Sequence, residues 1–382
     1  MQEPFKKSFT KKAAVNMLYK PQKAELLLRF REFCASLSPK DKVAIIHHTD
    51  ADGICSAVIT MKAIEKITGR KPVAVSPFEY GNRKQALEAA GLFKKKKANI
   101  LVIVDIGLDG THNSLLKKLR FEKCLVIDHH KMRQDLNSKK TVFLKAEFFT
   151  EKDSSSYVTS KFAFDLFNIV VDLKGLDWVA CIGILGDMSF KQWRQFVEET
   201  IARRKIPLSM LYSALELIAA VEVVAKGKIT ELLWLFYNAK GLNDVLESKF
   251  KKYLAEFRQE KDLLVEGFDG KAESFPEIEL FFYAIKARHG NIKSYVVNEI
   301  SQMHPNETII LLQFAGAGKV RFSARRQDGK IKMNELLVEA VKGIPNASAG
   351  GHAPAAAGSV PKKYLGGFKE NIVKILKKKQ GE

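Results

Sequence analysis

The sequence predicts an α/β protein: an N-terminal domain built on a parallel sheet, a helical connector, and a smaller α/β C-terminal domain. Three observations lead there. Short runs of β-branched residues, Val43–Ile46, Ile100–Val104 and Leu125–Ile127, recur between helical patterns, as buried parallel strands do. Residues 190 to about 275 show helical periodicity only. A second set of strand-like runs then begins near Glu277. The expected boundaries are 1–190, 191–275 and 276–382.

In chain order, residues 1–40 carry nine Lys/Arg against three acids, with a helical pattern over Ala24–Phe33. This segment is either an amphipathic cap on the first domain or a basic arm for a phosphate backbone. Val43–His48 is a strand, and the loop Thr49–Gly53 carries the first acids. A helix from about Ile54 to Ile67 stops at Gly69. Val73–Val75 is a short strand, Arg83–Ala90 a helix, and Lys94–Lys97 a basic loop. Strand Ile100–Val104 ends at Asp105, and a helix near Ser114–Leu119 leads to strand Leu125–Ile127. Such strand–helix–strand units give right-handed crossovers and a parallel sheet. Strand Val142–Leu144 is followed by helices over about Ser155–Val171 and Asp177–Leu185, the second ending at Gly186-Asp187. In the last third, Leu280–Ile285, Thr308–Phe314 and Lys319–Ala324 read as strands and Asn334–Val341 as a helix. A small-residue loop, Gly350–Gly358, and a Lys-rich tail from Lys362 close the chain.

The formal charge is +20 and the pI about 9.6, which point to a polyanionic partner, nucleic acid first. The four cysteines (Cys34, Cys55, Cys124, Cys181) are scattered without a CxxC pair and read as reduced core residues. No apolar run is long enough to cross a bilayer, and the basic N-terminus lacks the apolar core of a signal peptide. A cytoplasmic protein is expected.

The chemistry lies at the ends of the strands, where open α/β sheets place their ligands. His48, Asp50 and Asp52 alternate, so on an extended strand end they would share one direction; Asp105 and Asp128-His129-His130 would come close across the sheet. One Asp at a strand end is often only a helix cap. Four carboxylates at one edge repel one another unless cations intervene. Carboxylate oxygen suits hard divalent ions and imidazole admits manganese, and the set is large enough for two ions.

These residues resemble the DHH phosphoesterase superfamily, which includes RecJ-type exonucleases. His48-Thr49-Asp50-Ala51-Asp52-Gly53 is similar to its first motif, Asp105 to its second, Asp128-His129-His130 to its third, and Asp187 is the candidate for its fourth. The Gly350-Gly351-His352-Ala353-Pro354-Ala355-Ala356-Ala357-Gly358 loop resembles the signature of the C-terminal DHHA1 domain. The resemblance implies His48, Asp50 and Asp105 on one manganese ion and Asp52, Asp105, His129 and Asp187 on a second, with magnesium as the alternative metal. It implies Asp128 as the group orienting an imidazole and His130 as a donor or proton carrier at the scissile phosphate. Arg325 and Arg326 resemble the Ser-x-Arg-Ser-type element of the C-terminal domain, although Ser323-Ala324-Arg325-Arg326 ends in Arg. With Gly350, Gly351 and His352 they are the expected substrate-binding residues: glycines let backbone N–H groups approach an anion, and a guanidinium grips phosphate in two places.

The function expected from this is a two-metal phosphodiesterase that degrades single-stranded DNA or RNA to nucleoside monophosphates, held between the two domains. The runner-up is a phosphodiesterase for very short oligonucleotides, cyclic dinucleotides or 3′-phosphoadenosine 5′-phosphate. A non-catalytic nucleic-acid-binding replisome scaffold is the reading from another class, and a replication or repair protein partner is compatible with each.

Overall fold

The computed structural model describes residues 21–80, 82–109, 121–151, 153–316 and 318–380. The helix expected near Ser114–Leu119 and the basic residues before Pro21 lie outside them. The chain forms two compact units: Met1–Ile218 with Gly227–Ser248, and Ala219–Lys226 with Lys249–Glu382. The helices of residues 191–275 are divided between these units.

The first unit contains five parallel strands: β1 (Val43–His48), β2 (Ala74–Phe78), β3 (Ile100–Val104), β4 (Lys123–Asp128) and β5 (Thr141–Lys145), in the order β2-β1-β3-β4-β5. Ile45 pairs with Val75 on one side and Val102 on the other, and Val102 continues to Leu125 and Val142. Alternate residues face opposite layers. Ala44, Ile46, Leu101, Ile103 and Val126 pack with Ala89 and Phe93 of the helix Arg83–Lys95. The helix Ala51–Thr68 packs against helices Thr159–Asn168 and Asp177–Gly186. Burial on all sides explains why β3 is apolar at every position. Each fully buried Ile or Val of these strands contributes about 1.5–3 kcal/mol relative to exposure.

The order of strands matters for the site. From β1 the chain moves outward to β2, then returns across β1 to β3, so a topological switch point falls between β1 and β3. All five carboxyl ends share one edge because all pairings are parallel.

The second unit carries a six-stranded sheet, β6 (Glu273–Phe275), β7 (Leu280–Ile285), β8 (Thr308–Ala315), β9 (Lys319–Arg325), β10 (Ser348–Gly351) and β11 (Ala355–Pro361), in the order β10-β11-β9-β8-β7-β6. β7 and β8 are parallel, joined through the helix Lys293–Met303; the other pairings are antiparallel. The Lys-rich tail is an amphipathic helix, Leu365–Gln380, whose Phe368, Ile372 and Leu376 recur every four residues and pack into this unit's core.

The structure corrects the expected Gly-rich loop. Gly350 and Gly351 belong to β10, and only His352–Pro354 lie between it and β11, with His352 N–H donating to Ala355 O at 2.8 Å. Gly351 has φ +142, and a Cβ there would lie 2.4 Å from Ala355 O. A Cβ on Gly358 would lie 2.1 Å from Ser348 O. Hairpin packing therefore demands glycine at both positions, whereas Gly350 has open space around its Cα.

Candidate metal centre

The helix Ala51–Thr68 begins earlier than its apolar pattern suggests. Asp50 is the N-cap residue and accepts from Gly53 N–H at 2.9 Å. Asp52 accordingly sits in the first helical turn, not on an extended strand end. A Cβ on Gly53 would meet His48 O at 2.4 Å, which explains the glycine. This cap folds the His-x-Asp-x-Asp segment back over the end of β1. His48 Nδ1 is then 2.7 Å from Asp50 Oδ2 and 3.9 Å from Asp105 Oδ2.

Asp105 occupies the switch point. It has φ +60, a conformation that Asp tolerates better than most residues, and its N–H donates to Ile127 O at 3.0 Å. Its Oδ1 accepts from Thr159 Oγ1 at 2.9 Å and lies 3.5 Å from His129 Nε2. The carboxylate thus stands between the His48 and His129 rings. His129 Nε2 is also 3.3 Å from Asp187 Oδ2, at the end of the helix Asp177–Gly186. His129 is oriented through its other nitrogen, 2.9 Å from Ser155 O.

Asp52 accepts from two backbone N–H groups, Thr159 at 2.6 Å and Ser160 at 2.8 Å. These belong to the start of the helix Thr159–Asn168, whose N-terminal dipole favours a carboxylate. The helix starts at Thr159 and not Ser155, where a separate short turn, Ser154–Ser156, intervenes. Among the described residues, three groups have ligand atoms mutually within 4.8 Å: His48/Asp50/Asp105, Asp52/His129/Asp187 and Asp105/His129/His130.

The electrostatics suit cations. Burial raises the Asp105 carboxyl well above its ordinary range, and Asp52, Asp50, Asp187 and Asp128 push it further. Burial also raises Asp187, again with Asp52 and Asp50 adding to the effect. For Asp50, burial acts upward, but the His48 ring and two hydrogen bonds outweigh it and the net shift is down. A partly buried set of mixed oxygen and nitrogen donors, whose carboxylates repel one another when ionised, is what a divalent cation stabilises. The residues present therefore fit such an ion: the first two groups would hold it, with Asp105 adjoining both.

Asp128 lies apart from these groups. It is fully buried, its Oδ1 is 2.7 Å from His130 Nδ1, and its Oδ2 accepts from Lys145. Burial raises its carboxyl, but His130 and Lys145 bring it below the usual range. Lys145 also donates to His130 O at 3.0 Å and lies 3.2 Å from Asp109 Oδ1. Neither Lys145 nor Asp109 stands out in the sequence. A lysine closing an apolar strand reads as solvated. Tyr80 is another residue not foreseen: its ring is 5.6 Å from that of His48, its hydroxyl accepts from Gly107 N–H at 2.8 Å, and it is 44% exposed.

The expected substrate residues of the second unit differ among themselves. Arg326 is 2% exposed, and its guanidinium binds Asp328, Glu279 and Thr308 Oγ1 within the fold. That environment makes it a structural residue and corrects its expected place among the phosphate-binding groups. Arg325 donates to Asn298 Oδ1 at 2.5 Å, and burial lowers its guanidinium to about 10. Near it, Lys293 donates to Ser323 Oγ at 3.0 Å; burial, then Arg325 and Arg321, lower its ammonium to about 8. His352 is half-buried beside the turn.

A parallel α/β sheet with a His/Asp cluster at its switch point defines a candidate metal-centred α/β protein. The DHH family, N-terminal domain model matches residues 42–180 and the DHHA1 domain model residues 279–381. Together they cover well over half the sequence: the chain carries a DHH N-terminal domain with a DHHA1 domain after it. Similar solved structures include RecJ from Thermus thermophilus in complex with Mn2+, with TM-score 0.68 and 15% identity over 95% of this chain and 56% of that one. The chain thus spans little more than half of that RecJ. An exonuclease RecJ bound to manganese matches with TM-score 0.59 and 17% identity, covering 94% of this chain and 95% of that one. CDC45 from Entamoeba histolytica matches with TM-score 0.54 and 10% identity, over 93% and 99% of the two chains. At these identities the likeness is one of fold. Curated protein sequences give no match. Among the described residues, no single helix is long and apolar enough to cross a membrane.

Proposed function

We propose that the chain is a metal-dependent phosphodiesterase, acting as an exonuclease that releases nucleoside monophosphates from single-stranded DNA or RNA. The observation that carries this reading is the placement of Asp105 between two imidazoles, next to both His48/Asp50 and His129/Asp187. Divalent cations held there, manganese or magnesium, would supply Lewis-acid activation of water and neutralise charge on the phosphate. His48, Asp50, Asp52, Asp105, His129 and Asp187 are the proposed ligands.

His130 is the proposed donor to the leaving oxygen. Its Nδ1 faces Asp128, so the ring is fixed in orientation and its Nε2 is the nitrogen that would handle the proton. Asp128 keeps that orientation because Lys145 holds its other oxygen. In the second unit, Arg325, Gly350 and His352 are the proposed substrate contacts, with Lys293 beside Arg325 as a further cation. The net charge of +20 favours a chain of phosphates over a small substrate. The RecJ neighbours, one of them an exonuclease and both carrying manganese, lend support.

The test uses purified protein with manganese on single-stranded DNA and RNA of about 5 and 30 nucleotides, labelled at either end. An Asp128→Ala/His129→Ala double variant controls for contaminating nuclease. Monophosphate release from the long substrates is expected. Cleavage confined to the short ones would move the chain to the short-oligonucleotide class. Absence of metal-dependent hydrolysis of either would favour a scaffold.

A further inference from the structure

The parallel sheet separates charge along its strands. Its carboxyl edge carries the acids described above. Its opposite edge, formed by the segments entering the five strands, is basic: Lys40 and Lys42 before β1, and Arg70 and Lys71 before β2. Lys94 and Lys95 end the helix Arg83–Lys95, Lys96 and Lys97 form the turn between it and β3, and β5 is preceded by Lys139 and Lys140. All of these residues are exposed. With Lys123 at the start of β4, the described residues of the edge hold eleven bases against two acids, Asp41 and Glu122.

Both acids are already engaged. Asn99 Nδ2 donates to Asp41 Oδ1 at 3.0 Å and to Glu122 Oε2 at 3.1 Å. The same asparagine joins neighbouring segments through its backbone and its Oδ1: its N–H donates to Lys42 O, Glu122 N–H donates to Asn99 O, and Lys42 N–H donates to Asn99 Oδ1. Cys124 N–H donates to Lys140 O at 2.7 Å, and Arg29 Nη2 donates to Thr141 O at 2.9 Å. The edge is therefore a braced row of cations and not a set of independent loops.

We propose that this edge is a second nucleic-acid surface, which holds the phosphate backbone of a strand remote from the metal centre. The dimensions fit. Four inter-strand steps of about 4.8 Å make a row roughly 19 Å long, enough to meet several consecutive phosphates of a strand. Strands of five or six residues put the row roughly 17–20 Å from the metal edge. A strand bound there would be tethered without meeting the acids, which themselves repel phosphate until cations are bound. The proposal concerns binding alone and stands or falls independently of the proposed hydrolysis.

The test compares the intact chain with a Lys95→Glu/Lys96→Glu/Lys139→Glu/Lys140→Glu variant and with its all-alanine counterpart. The alanine version guards against misfolding from charge reversal. Lys97 is left alone because its φ of +55 shapes the turn. Anisotropy of a labelled 30-nucleotide single strand is followed in EDTA across a salt series. Loss of four phosphate contacts should lower the slope of log affinity against log salt by about three, at roughly 0.7 each for a single strand. Affinity at ~100 mM salt should drop at least tenfold, while manganese-dependent cleavage of a 5-nucleotide substrate stays within twofold of the intact protein. An unchanged slope and affinity in both variants would overturn the proposal. So would displacement of the strand by polyglutamate as readily as by unlabelled nucleic acid of equal charge, which would indicate an acidic protein partner. If no hydrolysis is seen but the slope falls as expected, the enzymatic reading fails and this one survives.

Discussion

Lys145 and Asp128 stand in register on neighbouring strands, and their buried side chains form an ion pair with no exposure to solvent on either partner. The pair sits directly behind His130, whose Nδ1 shares the same carboxylate. A buried pair adds little net stability over an apolar one, but removing one member leaves the other uncompensated. Lys145→Met should therefore cost about 3–5 kcal/mol, read from urea unfolding. Asp128 has its carboxyl depressed in the fold, so its stabilising contribution is present above the ordinary carboxylate range and is lost as pH falls through the depressed value. Without Lys145 that depression shrinks, and acid unfolding should move to higher pH. An acid midpoint shared by both proteins would mean the pair does not hold Asp128 ionised.

Asp105→Asn separates stability from metal binding. The carboxylate is raised by burial and by four neighbouring acids, so ionised Asp105 destabilises the metal-free fold. Asparagine keeps the shape and tolerates the φ of +60. The metal-free variant should melt higher than the parent by roughly 1 kcal/mol or more at neutral pH. Calorimetric titration with manganese should show weaker binding, at least about tenfold. Equal melting of the metal-free forms would remove the like-charge argument.

The same reasoning gives a pH dependence with a definite sign. Asp105 and Asp187 have folded pKa values above their unfolded ones. Between the two values the native state binds more protons, so these groups favour the fold fully below about 3.9 and the favour fades as pH rises through their folded pKa. EDTA-treated protein should melt progressively lower from pH 5 to pH 8. Excess manganese should reverse the trend, because ligands must be ionised to bind. A rise of melting temperature with pH in EDTA would contradict the arrangement of charges described above.

How much of this was legible in the sequence depends on what kind of signal each feature leaves. The strands Val43–His48 and Ile100–Val104 have the same bounds in sequence and structure because continuous β-branched burial is written in composition. His48, Asp105 and His129 meet because their strand ends share one edge, while Asp128 on the same edge turns to Lys145 and His130. Asp52 leaves the strand-like alternation because the N-cap at Asp50 starts the helix at Ala51, and an Asp in that place is the only local sign of the cap. Lys145 and the Thr159 and Ser160 amides were invisible, since a buried lysine and a backbone donor gain meaning only from a partner far along the chain. Arg326 carried a misleading signal: its neighbour Asp328 is local, but Glu279 joins it only in the folded sheet.

Two glycine substitutions with opposite signs would test the packing behind the site. In an isolated helix, alanine exceeds glycine by up to about 1 kcal/mol. Gly91, in the helix Arg83–Lys95, has nothing within 4 Å of an added Cβ, so Gly91→Ala should gain roughly 0.5–1 kcal/mol. Gly183 lies in the helix Asp177–Gly186, where the same propensity applies. There, however, the new Cβ would fall 2.1 Å from Ser160 Oγ, 2.7 Å from Ser160 Cβ and 2.8 Å from Asp52 Oδ1. Overpacking of this kind costs about 1–3 kcal/mol, which exceeds the propensity gain. Relief requires moving the start of the helix Thr159–Asn168, and with it the two amides that fix Asp52. Gly183→Ala should therefore lose stability and weaken manganese binding together, while Gly91→Ala gains stability and leaves manganese binding unchanged. Thermal melting with and without manganese reads both effects. If Gly183→Ala melted higher than the parent in both conditions, Asp52 would not be held by the close approach of these two helices.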